Sequence, residues 1–218
     1  VVGAGIAGIL AAKNAAKNNL ETLLIDEKNE LGGATIYQNR EFNKIENQSS
    51  SDWLKKEIQG LKDVENLEVK TRTSVAAYHG YNYLLARENL TDHLEKKYKQ
   101  GKIRQRLLKI RAKKVILATG ALERPLIFNN NDRPGIMLSS AVNKYADFYG
   151  VVCGQKTVFF TNSDSAYESA LCLHNKGIKV EAIIDIRDNS DSKIVKAVED
   201  AGIKIHWSHT VVNTSGYK

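Results

Sequence analysis

Apolar and polar positions follow two rhythms along this chain. Ile6, Leu10, Ala15 and Ala16 recur at helical spacing, and residues 20–25 then read as a continuous strand, apolar but for Glu21 and Thr22. The first pattern predicts a helix with its apolar face through those four residues. The second predicts a strand buried on both faces, as in a parallel sheet. Gly32-Gly33 breaks the chain, and residues 43–52 are polar and loop-like. Ser49-Ser50-Ser51-Asp52 precedes a helix expected over about residues 53–62. A short strand follows at 68–72, then a β-hairpin at 75–87 turning near His79-Gly80, and a charged turn at 99–102. Residues 107–112 and 114–118 read as two more strands, the second very apolar. Residues 122–135 hold both prolines and read as a loop. Beyond it come a helix at 139–149, a strand at 157–160, a helix at 165–176, a strand at 180–185, a helix at 192–201 and a strand at 203–207.

One strand–helix–strand unit therefore opens the chain and a second begins near residue 157. Such alternation implies parallel sheets with helices outside. The expected boundary lies near Gly150. Residues 1–150 would be a first domain with a β insertion at about 67–112, and residues 151–218 a second, incomplete one. Val1-Val2 supplies only two strand residues before the first glycine, and residues 211–218 stop within a strand-like pattern. The expectation is a truncated fragment of a longer polypeptide.

The first turn, Gly3-Ala4-Gly5-Ile6-Ala7-Gly8, has the pattern G-x-G-x-x-G. It follows a strand end and opens a helix, and Asp26 ends the next strand 18 residues after Gly8. Gly3 permits the tight turn, Gly5 lets the backbone approach a pyrophosphate, and Gly8 lets helix pack on strand. The helix N-terminus offers free N–H groups and a positive dipole end. Asp26 can accept from the adenosine ribose hydroxyls. Asp26-Glu27 also disfavours the 2′-phosphate of NADP, with Lys28 the one nearby cation. The Gly32-Gly33 pair and the run Val115-Ile116-Leu117-Ala118-Thr119-Gly120-Ala121 complete the signature of flavin and nicotinamide proteins. The fold class is α/β, a Rossmann-like FAD/NAD(P)-binding fold with two dinucleotide-type units and a small inserted β-hairpin or meander.

In the second unit all three glycines are replaced, giving Thr161-Asn162-Ser163-Asp164-Ser165-Ala166. Asp164 puts negative charge where a pyrophosphate would sit. Ser165-Ala166-Tyr167-Glu168 reads as a capping box that satisfies the helix start without a ligand. This turn is expected not to bind a dinucleotide in the usual way.

Composition narrows the chemistry. With 218 residues, 42% hydrophobic and 26% charged, the chain is an ordinary globular one. No apolar run approaches the roughly 18 residues of a membrane span, and no signal-peptide pattern is present. Net charge is 32 basic minus 25 acidic, +7. Lys55-Lys56, Lys96-Lys97 and Lys113-Lys114 read as scattered among acids, a solvated surface without a nucleic-acid motif. Cys153 and Cys172 form no redox pair, fit a reducing cytoplasm, and are expected to be buried small hydrophobes. His206 and His209 are expected on opposite faces of a strand, against a shared metal. His79 and His93 have no identifiable acid partner. No catalytic residue can be nominated.

The segments at 73–78 (TSVAAY), 90–94 (LTDHL), 118–141 (ATGALERPLIFNNNDRPGIMLSSA) and 160–167 (FTNSDSAY) resemble the α subunit of heterotetrameric sarcosine oxidases. The resemblance runs over essentially the whole chain. It implies non-covalent NAD in this subunit, and FAD and covalent FMN on or beside the β subunit. It also implies β, γ and δ partner subunits, and a C-terminal domain, absent here, that binds tetrahydrofolate. By the same resemblance the nucleotide contacts fall on Gly3, Gly5, Ala7, Gly8, Asp26, Glu27, Lys28, Ala34 and Val75; Ile6, Gly33, the neighbouring Thr35, Thr119 and Gly120 complete the candidate cofactor site. The implied activity is oxidative demethylation of sarcosine to glycine on another chain, yielding hydrogen peroxide and formaldehyde or a methylene-folate. Two alternatives remain open. One is an FAD-dependent amine or opine dehydrogenase whose first turn carries FAD. The other is a non-catalytic scaffold with a vestigial site.

Overall fold

The computed structural model describes residues 1–37, 44–99 and 101–216. In chain order the elements are α1 (Ile6–Lys17), β1 (Thr22–Ile25), a 3-10 turn (Gly33–Ile36), β2 (Lys44–Ile45), β3 (Gln48–Ser49), α2 (Ser50–Gln59) and β4 (Leu67–Lys70). There follow β5 (Thr73–His79), β6 (Tyr83–Asn89), α3 (Lys96–Lys99), β7 (Gln105–Arg111), α4 (Ser139–Asp147), β8 (Lys156–Thr161), α5 (Ser165–Asn175), β9 (Lys179–Asp185), α6 (Lys193–Asp200) and β10 (Ile205–His206). They form two compact units. One comprises Val1–Ile36 and Ser50–Ala121, the other Tyr37–Ser49 and Leu122–Lys218. The first unit thus ends well ahead of Gly150.

In the first unit β1 pairs in parallel with β4, and Val2 forms parallel bridges with both Ile25 and Leu117. The order is β4, β1, the Val2 segment, then the Leu117 segment, the 3-2-1-4 arrangement of a nucleotide-binding sheet. α1 packs on it through Gly8, Ile9, Ala12 and Ala16. Of the face expected through Ile6, Leu10, Ala15 and Ala16, only Ala16 is buried, and Leu10 is 42% exposed. Close contact of Gly8 with the sheet turns the helix, so the neighbouring stripe is buried instead. The apolar run at 114–118 is likewise not a full strand. Among the described residues it pairs only beside Val2, where the facing backbone turns away at Gly3 (φ +96°). Leu117 stays 58% exposed.

The insertion is an antiparallel meander in the order β5-β6-β7. Its first turn falls at Gly80–Asn82. α2 begins at Ser50, earlier than expected, with Trp53 and Leu54 buried. Asn43 falls outside the described residues, and the rest of the expected 43–52 loop contains the β2–β3 hairpin and the start of α2.

In the second unit β8, β9 and β10 form a parallel sheet in the order β10-β9-β8. α5 packs on this sheet through Tyr167, Ala170, Leu171 and Leu173, all buried with Ile183, Val195 and Val198. α4 starts without a cap from its own N-cap residue, Leu138. Instead Glu123 accepts the Ser139 and Ser140 amides at 3.1 and 2.8 Å. Burial pushes the Glu123 carboxyl up, but these hydrogen bonds outweigh it and hold it below its ordinary value.

Cys172 is buried, but Cys153 is exposed, contrary to expectation. His206 and His209 do not point apart: β10 ends at His206 and Ser208 takes a positive φ of 55°. Their ring centroids come to 5.5 Å. No group of three or more metal-capable side chains occurs among the described residues.

Candidate functional site

The opening turn lies wholly within the first unit. Gly3 is threaded against the neighbouring strand. A Cβ there would stand 2.2 Å from the Ala118 carbonyl oxygen, and its positive φ is itself unfavourable for an L residue. A Cβ on Gly8 would stand 1.8 Å from the Gly3 carbonyl oxygen and 3.3 Å from the Ala118 Cβ. Gly5 differs from both: a Cβ there would meet nothing nearer than the Gly33 Cα, at 4.0 Å. Two glycines are therefore needed by the protein's own packing, and the third faces open space.

Gly5 is also the N-cap of α1, where it supplies no side-chain acceptor, and the first turn of the helix has no acidic residue. The amides of Ile6, Ala7 and Gly8 thus sit at a positive dipole end with no carboxylate of that turn competing for them. This fits the diphosphate of a dinucleotide: bare amides, no clashing side chain, and room in front of Gly5.

The other expected residues are arranged around this turn. The Asp26 carboxylate accepts the Ala4 amide at 2.6 Å and the Lys28 amide at 2.8 Å. It ties the end of β1 to the turn. Each oxygen accepts one such bond, and a carboxylate oxygen can accept another. Glu27 is exposed and Lys28 half-buried. The Gly32 amide donates to the Ala4 carbonyl at 2.7 Å, which brings Gly33 face to face with Gly5. In the 3-10 turn Ala34 is exposed while Thr35 is buried, so Ala34 is the surface there. The Thr73 amide donates to the Asp26 carbonyl at 2.8 Å, setting half-buried Val75 two residues along β5. Thr119 follows Ala118 and lies against Gly3, and exposed Gly120 follows it.

Two residues outside the expected set organise this site, Ala4 and Ala118. Ala4 uses its amide on Asp26 and its carbonyl on Gly32. Ala118 provides the backbone against which Gly3 and Gly8 close. Their sequence signal is only small size, Ala4 between two glycines and Ala118 two residues before Gly120.

The corresponding turn of the second unit is occupied by the protein itself. Asp185, fully buried, ends β9, as Asp26 directly follows β1. It accepts the Tyr167 hydroxyl at 2.8 Å, the Arg187 amide at 2.9 Å and Arg187 Nη2 at 2.7 Å. Arg187 Nη1 reaches back to Asp164 Oδ1 at 2.8 Å. Burial pushes both carboxyls up, but Arg187 and the hydroxyl donors hold them below the usual carboxylate range. Burial, then Asp185, pushes the Tyr167 hydroxyl well above its ordinary value. The N-cap of α5 is Asp164, not the Ser165 of the expected capping box. Ser163 Oγ accepts the Ser165 amide at 3.3 Å. Asp164 is thus charge-paired rather than left bare at the helix end. Arg187 and Tyr167 carried no signal that singled them out in the sequence.

Comparison with known proteins places this geometry. The family model of pyridine nucleotide-disulphide oxidoreductases matches residues 1–218. Sarcosine oxidase subunit alpha of Corynebacterium sp. (strain P-1) is 39% identical over 214 residues, covering 98% of this chain. The subunit of the same name from Rhizobium meliloti (strain 1021) is 34% identical over 187 residues. The chain spans only 22% and 18% of those two relatives' lengths. Among solved structures, L-proline dehydrogenase from P. horikoshii superposes with a TM-score of 0.66 at 28% identity, over 84% of this chain and 34% of that one. Thioredoxin reductase of Lactococcus lactis shares the fold, with a TM-score of 0.64 at 20% identity, over 99% of this chain and 66% of that one. Fold, glycine turn and family model agree: this chain belongs to the pyridine nucleotide-disulphide oxidoreductase family.

Proposed function

We propose that this chain is the NAD-binding portion of the α subunit of a sarcosine oxidase. The observation that carries the reading is the contrast between the two turns. The first keeps a Gly5 with open space before it and amides without a side-chain acceptor. The second is filled by Asp164, Arg187, Asp185 and Tyr167. The similarity to the sarcosine oxidase α subunits supports the assignment. In this reading the turn at Gly5, Ile6, Ala7 and Gly8 holds the diphosphate, and Asp26, already oriented by Ala4 and Lys28, takes the adenosine ribose. Glu27 discourages a 2′-phosphate, and Gly33, Ala34, Val75, Thr119 and Gly120 border the nucleotide.

Bound NAD would supply a structural ligand rather than the oxidant. FAD and FMN on or beside a β subunit would remove the electrons from sarcosine. The products would be glycine and hydrogen peroxide, with the one-carbon unit released as formaldehyde or passed to tetrahydrofolate in a further domain. Partners would be the β, γ and δ subunits, and the setting the cytoplasm. No helix of the described residues is long and apolar enough to cross a membrane. The test is to add sarcosine to the purified, complete enzyme. Retained NAD should stay oxidised while hydrogen peroxide appears. Rapid release of NADH would contradict the reading.

One observation favours a second reading, the similarity to an L-proline dehydrogenase. There the first turn would carry FAD for oxidation of another secondary amine. Cofactor released from this chain would then be yellow, whereas NAD is colourless.

A further inference from the structure

Ten of the nineteen residues from 96 to 114 are Lys or Arg and none is Asp or Glu. The positive charge is therefore concentrated, not scattered as the lysine pairs suggested, and β7 carries three of the ten cations, Arg106, Lys109 and Arg111. Strand register shows where it points. Ile110 stands opposite Leu84 and Leu108 opposite Ala86, and both partners are buried, so that face looks inward. The outward rows are Arg111 opposite Tyr83, Lys109 opposite Leu85, and Leu107 opposite Arg87. Arg87, Lys109 and Arg111 are exposed, and Leu107 is 62% exposed. No Asp or Glu stands on the outward rows of β5, β6 or β7; the inward Glu88 is paired with Lys70 and Arg106. Among the described residues Arg87, Lys109 and Arg111 make no ion pair, and Arg111 lies 5.6 Å from the centre of the Tyr83 ring. Among the described residues β7 has only β6 as a strand neighbour.

We propose that the outward face and free edge of the β5–β6–β7 meander is a docking surface for an acidic, partly apolar face of a different protein subunit. Lysines that merely guard a sheet edge belong on the edge strand. Arg87 is on the central strand, where no edge needs guarding. The cations are interleaved with Leu85, Leu107 and Tyr83, and a polyphosphate backbone offers those side chains no apolar partner. An acidic protein face satisfies both kinds of group, with charge setting orientation and the apolar centre burying area. The free backbone groups of β7 allow an added strand. The inference rests on the chain being part of a multisubunit enzyme, and it is tested without reference to nucleotide or substrate.

Hydrogen exchange is compared in the full-length wild-type chain, alone and with its co-expressed subunits. The amides of β7 should be strongly protected in the complex. The triple variant Arg87→Glu/Lys109→Glu/Arg111→Glu should lose roughly tenfold or more in subunit affinity. A variant that exchanges Lys and Arg at the same positions should retain most of it. Wild-type association should also weaken as salt rises from about 0.1 M to about 1 M. A stable complex with unprotected β7 amides, or with no salt dependence, overturns this inference alone. Protection by a second copy of the chain, or by nucleic acid in place of a protein, overturns it as well. A full-length chain that assembles with no subunit overturns both the inference and the reading beneath it.

Discussion

A single methyl group separates the glycines of the opening turn into two kinds. At Gly8 a Cβ collides with the backbone of Gly3, and at Gly3 with that of Ala118. At Gly5 it enters open space, on a backbone (φ −71°, ψ −177°) that any residue adopts. Gly8→Ala should therefore cost about 3 kcal/mol of stability or more, as overpacking against rigid backbone does. Gly5→Ala should leave thermal stability within about 1 kcal/mol of the parent and yet weaken dinucleotide binding by roughly tenfold or more. Calorimetric melting and titration with NAD distinguish the two. If Gly5→Ala binds as the parent does, the open space before it is not the diphosphate site. The glycine pattern was readable from sequence because each position has a separate steric duty. Ala4 and Ala118 were not, because their contribution is a backbone group whose partner is set only once strands meet.

At the scale of elements, the two strand–helix–strand units put the same architecture to different use. In the second, Arg187 joins the loop carboxylate of Asp164 to the buried strand-end carboxylate of Asp185. Arg187→Met strands Asp185 without its cation and should cost about 3 kcal/mol or more, measured by urea unfolding. The folded pKa values of Asp185 and Asp164 are held below the unfolded value of about 3.9. Their stabilisation is thus complete above that value and lost as pH falls through the folded pKa values. The stability gap between parent and variant should be full at neutral pH and close in strong acid. A gap independent of pH would contradict the charge pairing. At α4, Glu123→Gln keeps the shape of the cap but removes its charge, and should cost about 1 kcal/mol. Periodicity revealed most of these helices and strands, and their ends moved by a few residues. It did not reveal which stripe of α1 is buried, because the Gly8 contact decides the helix rotation. Nor did it show that the run at 114–118 pairs only beside Val2.

At the scale of the whole molecule, the described chain is two nucleotide-fold units, one with an open turn and one with its turn filled. The first contains every residue proposed to touch nucleotide. Sequence made the alternation and the first site legible, since both rest on local spacing. The concentration of charge on one sheet face depended on strand register, which sequence left open. The proposed role of this chain depends most on the opening turn binding a diphosphate. The most direct measurement is a crystal structure of the full-length protein with NAD. The prediction is diphosphate oxygens about 3 Å from amides of the Gly5–Gly8 turn and an adenosine ribose on Asp26, with no nucleotide at the Asp164–Arg187 turn. An empty first turn, or a dinucleotide seated on the second, would contradict it.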